Sequence, residues 1–192
     1  MVKIIAFTGP ASSGKTTIID AMIADLEDKD KKVIRISNVT RDVFTLYSTR
    51  YGVTSLDDLR DKPAVVFQFQ KDCIARQIAM EMSAKLEDVD FVISDRSVFD
   101  YMVYASIFMR FDDYVEYIKV YEQQLHVSRY DELVYTEPLT YVADNFRTTE
   151  GREAEICIYE KSIKPLATLV LPNTSVENRL NYVEGKLESV VS

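Results

Sequence analysis

The decisive stretch of this chain is Gly9-Pro10-Ala11-Ser12-Ser13-Gly14-Lys15-Thr16. Its spacing, Gly-x-x-x-x-Gly-Lys-Thr, lets two glycines carry a tight backbone path while successive N–H groups surround a phosphate. A short apolar run, residues 2–7, precedes the loop, and apolar residues at helical spacing, residues 16–28, follow it. Strand, glycine loop and helix in this order predict a phosphate site at a helix N-terminus. A glycine turn followed by a lysine through coincidence is the alternative.

The residue types in this loop indicate which groups it binds. The side chain of Lys15 is expected to contact the terminal phosphates of ATP, and the hydroxyl of Thr16 to hold Mg²⁺. The predicted cofactors are therefore ATP, as phosphoryl donor, and Mg²⁺. The residues expected to bind ATP are Gly9, Ala11, Ser12, Ser13, Gly14, Lys15, Thr16 and Thr17.

Composition limits the class of protein. The 192 residues are 47% apolar and 28% charged, which predicts one packed domain over residues 1–192. The net charge of −8 disfavours non-specific coating of nucleic acid, although it leaves room for a local basic cleft. Two cysteines are too few for a disulfide framework and favour a reducing cytoplasm. No apolar run approaches 18 residues, so no membrane span is expected.

Hydrophobic patterning predicts strands that alternate with helices. The expected strands are residues 2–7, 32–37, 89–95, 132–136 and 166–171. The expected helices are residues 16–28, 64–86, 98–109, 112–129 and 175–191, with short helices and loops over residues 38–62. This order predicts an α/β fold with a parallel five-stranded sheet flanked by helices, with residues 2–7 as its central strand. Ligands are then expected at the carboxyl ends of the strands.

Asp95 and Arg96 follow directly on the third predicted strand. This strand should end at the same sheet edge as the phosphate loop, so Asp95 is a candidate Mg²⁺ ligand and catalytic residue. The planar guanidinium of Arg96 suits phosphate oxygens, and Arg96 is a candidate to hold a phosphate or the acceptor. In the alternative interpretation, Ser94 and Asp95 only cap the helix that follows.

Arg41 and Asp42 lie at the exit of the second predicted strand, which the sheet topology directs at the same cleft. A carboxylate near the acceptor hydroxyl can take its proton, so Asp42 is a candidate base. Arg41 is a candidate to hold an acceptor phosphate or to bridge to the γ-phosphoryl group. A surface turn with an Arg-Asp pair explains the same residues without a function.

A polar segment after the fourth strand, about residues 143–153, carries Arg147 and Arg152 five positions apart with Gly151 between them. These features predict an arginine-bearing lid. Arginines that arrive on closure stabilise charge on the transferred group, and closure excludes water, which makes both arginines catalytic candidates. A solvated surface loop is the alternative.

Phe69 and Gln70 lie early in the helix predicted for residues 64–86. The Phe69 ring is a candidate to stack on a nucleobase, and the Gln70 amide to read its edge. Val66, Phe69 and Cys73 share helical spacing, however, so most of this surface is expected to pack in the core.

Three tyrosines repeat at helical spacing along the helix predicted for residues 112–129: Tyr114, Tyr117 and Tyr121. This spacing is more typical of a helix face that packs against the core or a partner than of a binding platform. The pattern permits a homo-oligomer.

Taken together, the loop, Asp95-Arg96-Ser97 and the two lid arginines resemble the P-loop nucleoside and nucleotide kinase superfamily, with thymidylate and deoxynucleoside kinases as relatives. The resemblance spans nearly the whole chain. Asp144-Asn145-Phe146-Arg147 is similar to the Asp-Gly-x-Arg lid of ribosylnicotinamide-kinase-like ATPases, with Asn145 in place of glycine. Those relatives have a Glu three residues before the arginine that follows strand two, where this chain has Asn38. That departure disfavours a nicotinamide riboside acceptor and leaves Asp42 as the nearest acid.

The compact chain and its Pro172-Asn173 turn most resemble bacteriophage-encoded P-loop kinases, a group that includes 5-hydroxymethyluracil DNA kinases. The resemblance implies a kinase that moves the γ-phosphoryl group of ATP to a hydroxyl of a nucleotide unit, such as a 5-hydroxymethyluracil base within phage DNA. Free nucleosides or (deoxy)nucleoside monophosphates are the alternative acceptors. A nucleotide-hydrolysing switch is the alternative from another class.

Overall fold

The centre of the molecule is a parallel five-stranded sheet, seen in a computed structural model that describes residues 2–139 and 152–191. The strands are β1 (Lys3–Thr8), β2 (Val33–Ile36), β3 (Phe91–Asp95), β4 (Glu132–Thr136) and β5 (Leu169–Leu171). Their order in the sheet is β2-β3-β1-β4-β5, so β1 is central, as its apolar run predicts. Every described pair of neighbouring strands is parallel.

Helices cover both faces of this sheet. They are α1 (Lys15–Asp28), α2 (Val39–Tyr51), α3 (Leu56–Arg60), α4 (Pro63–Ala84), α5 (Val98–Phe108), α6 (Phe111–Tyr121), α7 (Arg152–Ile158) and α8 (Val176–Val191). A π-helical turn, Tyr159–Ile163, continues α7. Within the described residues, no helix combines the length and the apolarity that a membrane crossing needs.

Alternation along β1 divides the core in two, because successive strand side chains point to opposite faces. Ile4 and Ala6 join the larger cluster, which includes residues of α2, α4, α5 and α6. Ile5 and Phe7 join the smaller one, which α1 and α8 cover. Since both faces are buried, β1 is a continuous apolar run. Because neighbouring strands are parallel, their carboxyl ends lie along one edge of the sheet.

Several element boundaries differ from the sequence predictions. The helix predicted for residues 112–129 ends at Tyr121, and two 3₁₀ turns, Glu122–Gln124 and Val127–Arg129, follow it. Beyond them, Arg129 and Tyr130 donate to the buried carboxylate of Glu81. Residues 39–51 form one helix of 13 residues rather than short pieces. The fifth strand begins at Leu169, because a 3₁₀ turn that contains Pro165 occupies Lys164–Leu166.

The region of the predicted lid is described only in part. Arg152, predicted within the loop, is instead the first residue of α7, and the helical segment from Arg152 to Ile163 was missed by the sequence prediction. Residues 143–151, including Arg147, lie outside the described residues.

Tyr117 is fully buried, and its ring lies 5.1 Å from that of Tyr121, which confirms the prediction of a packed helix face.

Candidate functional site

A cavity of about 520 Å³ opens at the carboxyl ends of the strands. Its walls come from the loop between β1 and α1, the β2–α2 junction, and the facing sides of α3, α4 and α5. Asp95 and Arg96 at the end of β3, and Glu155 on α7, complete it. The cavity lies where a parallel α/β sheet is expected to bind ligands.

Gly9 and Gly14 give the loop its path. Their φ angles are 140° and 79°, backbone values that residues with a side chain rarely adopt. A Cβ on Gly9 would lie 2.5 Å from the carbonyl oxygen of Thr136, at the end of β4. The Thr136 hydroxyl also lies 2.6 Å from the Ser13 hydroxyl. The loop therefore rests directly on the exit of β4, at a distance that only glycine permits.

The carbonyl groups of the loop are held by donors on its own lysine and on other elements. Lys15 Nζ donates to Gly9 O and to Pro10 O, both at 2.8 Å. Three other donors bind the next three carbonyl oxygens in order: Arg152 Nη1 binds Ala11 O at 2.8 Å, the Leu139 N–H binds Ser12 O at 3.3 Å, and Arg179 Nη1 binds Ser13 O at 2.6 Å. In a trans peptide, the C=O and the next N–H point in opposite directions. The N–H groups of Ser12, Ser13 and Gly14 thus point away from the donors on Arg152, Leu139 and Arg179. Ser12, Ser13 and Gly14 all line the cavity.

One anion already lies on this loop. The Glu155 carboxylate accepts the Ala11 N–H at 2.9 Å and the Tyr104 hydroxyl at 2.9 Å, and it lines the cavity. A carboxylate oxygen therefore already accepts one N–H of the loop, at Ala11. The residues present fit the phosphates of a nucleotide.

Lys15 is buried among polar groups at the base of the cavity. Its ammonium also donates to the Ser13 hydroxyl at 3.0 Å. Burial, and secondarily the charge of Arg96, lower the pKa of Lys15 to about 7. A phosphate beside the ammonium opposes both effects, since a nearby negative charge favours the protonated form.

Thr16 and Asp95 meet as the sequence predicts. The Thr16 hydroxyl donates to Asp95 Oδ2 at 2.9 Å, and both residues line the cavity. A hydroxyl and a carboxylate are oxygen donors of the kind that Mg²⁺ prefers, with nucleotide phosphates and water as its remaining ligands. No cluster of three or more His, Cys, Asp or Glu side chains occurs among residues 2–139 and 152–191, so the protein would supply only part of the shell. Mg²⁺ fits this donor pair.

The capping interpretation of Asp95 is wrong for the described structure. Ser97 is the N-cap residue of α5, and the Asp100 carboxylate accepts the Ser97 backbone N–H at 2.7 Å. Asp95 therefore has its side chain available for the cavity and Thr16.

Arg96 is held in place from several sides. Its φ of 134° is strained for a residue with a side chain, and its carbonyl oxygen accepts the Ser94 hydroxyl at 2.7 Å. Its guanidinium donates to Asp100 Oδ1 at 3.1 Å and lies 5.0 Å from the centre of the Tyr104 ring. Strain of this kind persists where the surroundings determine the backbone, which is typical of functional sites.

The wall opposite the loop contains the predicted acceptor residues. Phe69 is buried and packs edge-on against Tyr47, with ring centres 5.3 Å apart, yet it also lines the cavity. Gln70 is 6% exposed and lines the cavity, and its amide forms no hydrogen bond with any residue that the structure describes. Gln70 is thus a largely buried residue whose amide stays accessible from the cavity, where it can meet a ligand.

Two further arginines line the cavity near this wall. The Arg60 guanidinium on α3 lies 3.7 Å from the centre of the Phe108 ring on α5, and this contact joins the two helices across the cavity. Arg60 is also ion-paired with Asp57 of its own helix. Arg41 lines the cavity, as predicted. Asp42, the predicted base, does not line it; its half-exposed carboxylate is 3.3 Å from Arg76.

The residues of this site that the sequence prediction missed include Arg60, Tyr104, Glu155 and Arg179. None belongs to a spacing motif. Their contacts join segments that are far apart in the chain, such as Ala11 with Glu155, and no local pattern reports such contacts. The buried position of Arg179 on α8 likewise has no local signal.

Comparison with known proteins adds to this geometry. A family model described as an AAA domain matches residues 4–179, a span that runs from β1 to Arg179. The chain belongs to the AAA domain family. No curated protein matches the sequence of this AAA domain.

Solved structures share the fold of this AAA domain. Deoxyadenosine kinase from M. mycoides, with products dCMP and a flexible dCDP bound, superposes with a TM-score of 0.70 at 19% identity, over 97% of this chain and 99% of that one. NadR protein in complex with NR superposes with a TM-score of 0.64 at 18% identity over 96% of this chain, which spans 51% of the NadR chain. The fold is therefore the single-domain α/β fold of P-loop kinases.

Replacing Gly14 by Ala tests the packing of the loop. A Cβ there would lie 3.1 Å from Leu139 Cδ1 and 3.3 Å from Arg179 Nη1, so these two side chains would have to move, and the φ of 79° adds backbone strain. We expect the affinity for ADP, measured by isothermal titration calorimetry, to fall by about tenfold or more, equivalent to at least about 1.4 kcal/mol.

Gly52→Ala is the matched control. Gly52 also has a positive φ, 65°, but a Cβ there meets nothing within 4 Å. Its replacement should lower the free energy of unfolding by about 1 kcal/mol and leave ADP affinity unchanged. Equal ADP affinity in the Gly14 variant and the wild type would contradict the packing argument.

Proposed function

We propose that this protein is an ATP-dependent kinase that transfers the γ-phosphoryl group to a hydroxyl of a free nucleoside or nucleoside monophosphate. The observation that carries the proposal is a single cavity that joins a phosphate loop to a wall where the Gln70 amide is accessible and has no hydrogen bond to a described residue. Donor and acceptor would then meet in one enclosed space, as in-line transfer requires.

The loop and Lys15 would bind the phosphates of ATP through the N–H groups of Ser12 to Gly14 and the ammonium. Arg96, fixed by Asp100, would neutralise charge on the transferred group or hold the acceptor. Mg²⁺, when bound by Thr16 and Asp95, would neutralise charge on the β- and γ-phosphate oxygens. Arg152 holds the Ala11 carbonyl and so would orient the loop, while Arg147 stays a predicted lid residue.

The base for the acceptor hydroxyl has three candidates. Asp42 is the one predicted from the sequence, and it would reach the acceptor only after its ion pair with Arg76 opened. Asp95 and Glu155 are the two carboxylate residues that line the cavity among the described residues. Phosphoryl transfer demands little proton abstraction, so positioning by these groups is expected to matter more than their basicity.

Free acceptors are favoured over a unit within DNA. Two of the similar structures are a deoxyadenosine kinase, one with bound dATP, and another is a NadR protein with bound NR. The chain carries a net charge of −8, which opposes association with DNA. A 5-hydroxymethyluracil unit of phage DNA, the acceptor inferred from the sequence, gains no support from these neighbours.

The direct test is transfer of labelled γ-phosphate from ATP to a panel of acceptors. The panel holds deoxynucleosides, nucleoside monophosphates, nicotinamide riboside and duplex DNA with 5-hydroxymethyluracil. We expect label on a free nucleoside or nucleotide, and at least about a 100-fold loss of transfer in Lys15→Met, which removes the charge at the terminal phosphates.

Label that appears only in the DNA would overturn the proposal in favour of the DNA acceptor. Release of free phosphate with every acceptor, at a rate that none of them changes, would indicate a nucleotide-hydrolysing switch instead. Either result leaves the phosphate loop in place and changes only what receives the phosphoryl group.

Gln70→Leu tests the acceptor wall. Leu keeps the volume of the side chain but removes its donor and acceptor atoms, so kcat/KM for the acceptor should fall by about tenfold or more while KM for ATP is unchanged. Steady-state kinetics with the best acceptor of the panel gives both values.

Gln68→Leu is the matched control two positions away. Gln68 is exposed and donates to Asp72 at 2.8 Å, outside the cavity. It should leave both constants unchanged. An unchanged acceptor kcat/KM in the Gln70 variant would remove this residue from acceptor recognition.

A further inference from the structure

Arg179, on α8, has no part in the proposed transfer, yet it is only 1% exposed. Its guanidinium donates to three backbone carbonyl groups: Nη1 to Ser13 O at 2.6 Å, Nε to Pro172 O at 2.7 Å and Nη2 to Glu137 O at 3.2 Å. Ser13 lies in the loop after β1, Glu137 follows β4, and Pro172 follows β5. One side chain thus joins the exits of three parallel strands.

The charge of this guanidinium is not neutralised by an ion pair with any residue that the structure describes. Its three partners are neutral carbonyl oxygens, and the neighbouring Glu137 carboxylate is bound to Lys164 at 2.8 Å and to the Asn173 N–H. Burial lowers the pKa of Arg179, and Glu137 opposes this effect. A buried cation without a paired anion is costly in a folded protein, so its retention calls for an explanation.

The position of the charge supplies one. Arg179 holds the carbonyl of the peptide that joins Ser13 to Gly14, so the Gly14 N–H of the same peptide points the opposite way. A cation on the carbonyl oxygen polarises the peptide and strengthens its N–H as a donor. The Gly14 Cα is also close to the guanidinium, since a Cβ there would lie 3.3 Å from Nη1.

We propose that Arg179 is a positioning residue of the phosphate site, which fixes the Ser13–Gly14 peptide and places a buried positive charge behind it. The ligand class that this charge favours is the polyphosphate chain of a nucleotide. The inference rests on the proposed function only in assigning the loop to a nucleotide. The acceptor wall, formed by other helices, plays no part in it.

The test uses three variants of the full chain and inorganic tripolyphosphate as probe. Arg179→Gln removes the charge and keeps some donors, Arg179→Lys keeps the charge and loses the planar fork, and Arg179→Met removes both. Titration calorimetry gives the affinity for tripolyphosphate, and urea unfolding shows that each variant is folded. Steady-state kinetics with ATP and the best acceptor separates KM from kcat.

We expect tripolyphosphate to bind the Gln and Met variants about tenfold or more weakly, and the Lys variant within about threefold of the wild type. KM for ATP should rise in the Gln variant by a similar factor, whereas KM for the acceptor should stay constant. The difference between Gln and wild type should shrink at high salt, because the missing contribution is electrostatic.

Arg129→Gln is the control for loss of an arginine that is largely buried. Arg129 is bound to Glu81 away from the cavity, so this variant should be less stable and bind tripolyphosphate as the wild type does. A folded Arg179→Gln variant with wild-type affinity would overturn the proposal. So would a folded Lys variant as weak as the Met variant, because it would show that the charge has no effect.

The outcomes also separate this inference from the proposed function. If the wild type binds tripolyphosphate, the Gln variant does not, and no acceptor is labelled, then Arg179 has its role and the kinase proposal fails. If the acceptors are labelled and all variants bind equally, the kinase proposal stands and the role of Arg179 fails. If the wild type binds neither tripolyphosphate nor ATP, both fail.

Discussion

The path of the phosphate loop is set by how the carbonyl groups of residues 11–13 are held. Arg152, Leu139 and Arg179 bind these three carbonyls from separate elements, and trans peptide geometry then directs the following N–H groups away from them. The glycines permit the path, but glycine permits many other paths as well. Donors from α7, from the segment after β4 and from α8 select one of them. A loop that is flexible in isolation is thereby preorganised for an anion.

The charged side chains around the cavity also favour binding of an anion. The chain carries a net charge of −8, yet cationic residues outnumber acidic ones around the cavity. The cationic lining residues are Lys15, Arg35, Arg41, Arg60 and Arg96, and the acidic ones are Asp95 and Glu155. Arg35, Arg60 and Arg96 are each paired with a carboxylate, of Asp20, Asp57 and Asp100 respectively, so their charge is partly offset. Cationic donors inside a small cavity still favour polyanions that fit inside it over extended ones that need a broad basic surface. The electrostatics thus agree with a nucleotide-sized ligand.

Much of the fold follows from the sequence, because its signals are local. A few neighbouring residues are enough to recognise the apolar run of β1, the glycine spacing of the loop and the carboxylate of Asp95 at a strand end. The structure brings Asp95 to Thr16 as predicted. The remainder depends on contacts between distant segments. Glu155 reaches a loop 144 positions earlier, and Arg179 one 166 positions earlier, so neither has a signature along the chain. Asp42 follows the strand exit as predicted, but it lies in the first turn of α2 and pairs with Arg76 outside the cavity, so its role as base stays a prediction.

The donors behind residues 12–14 are expected to direct the N–H groups of these residues at the anion site. Backbone amide NMR of the ¹⁵N-labelled protein, titrated with ADP and Mg²⁺, is the test of this geometry. The amide protons of Ser12, Ser13 and Gly14 should shift downfield together and become protected from hydrogen exchange as the nucleotide binds. Tight ADP binding that leaves these three signals unchanged would contradict it, because the phosphates would then be held by other groups.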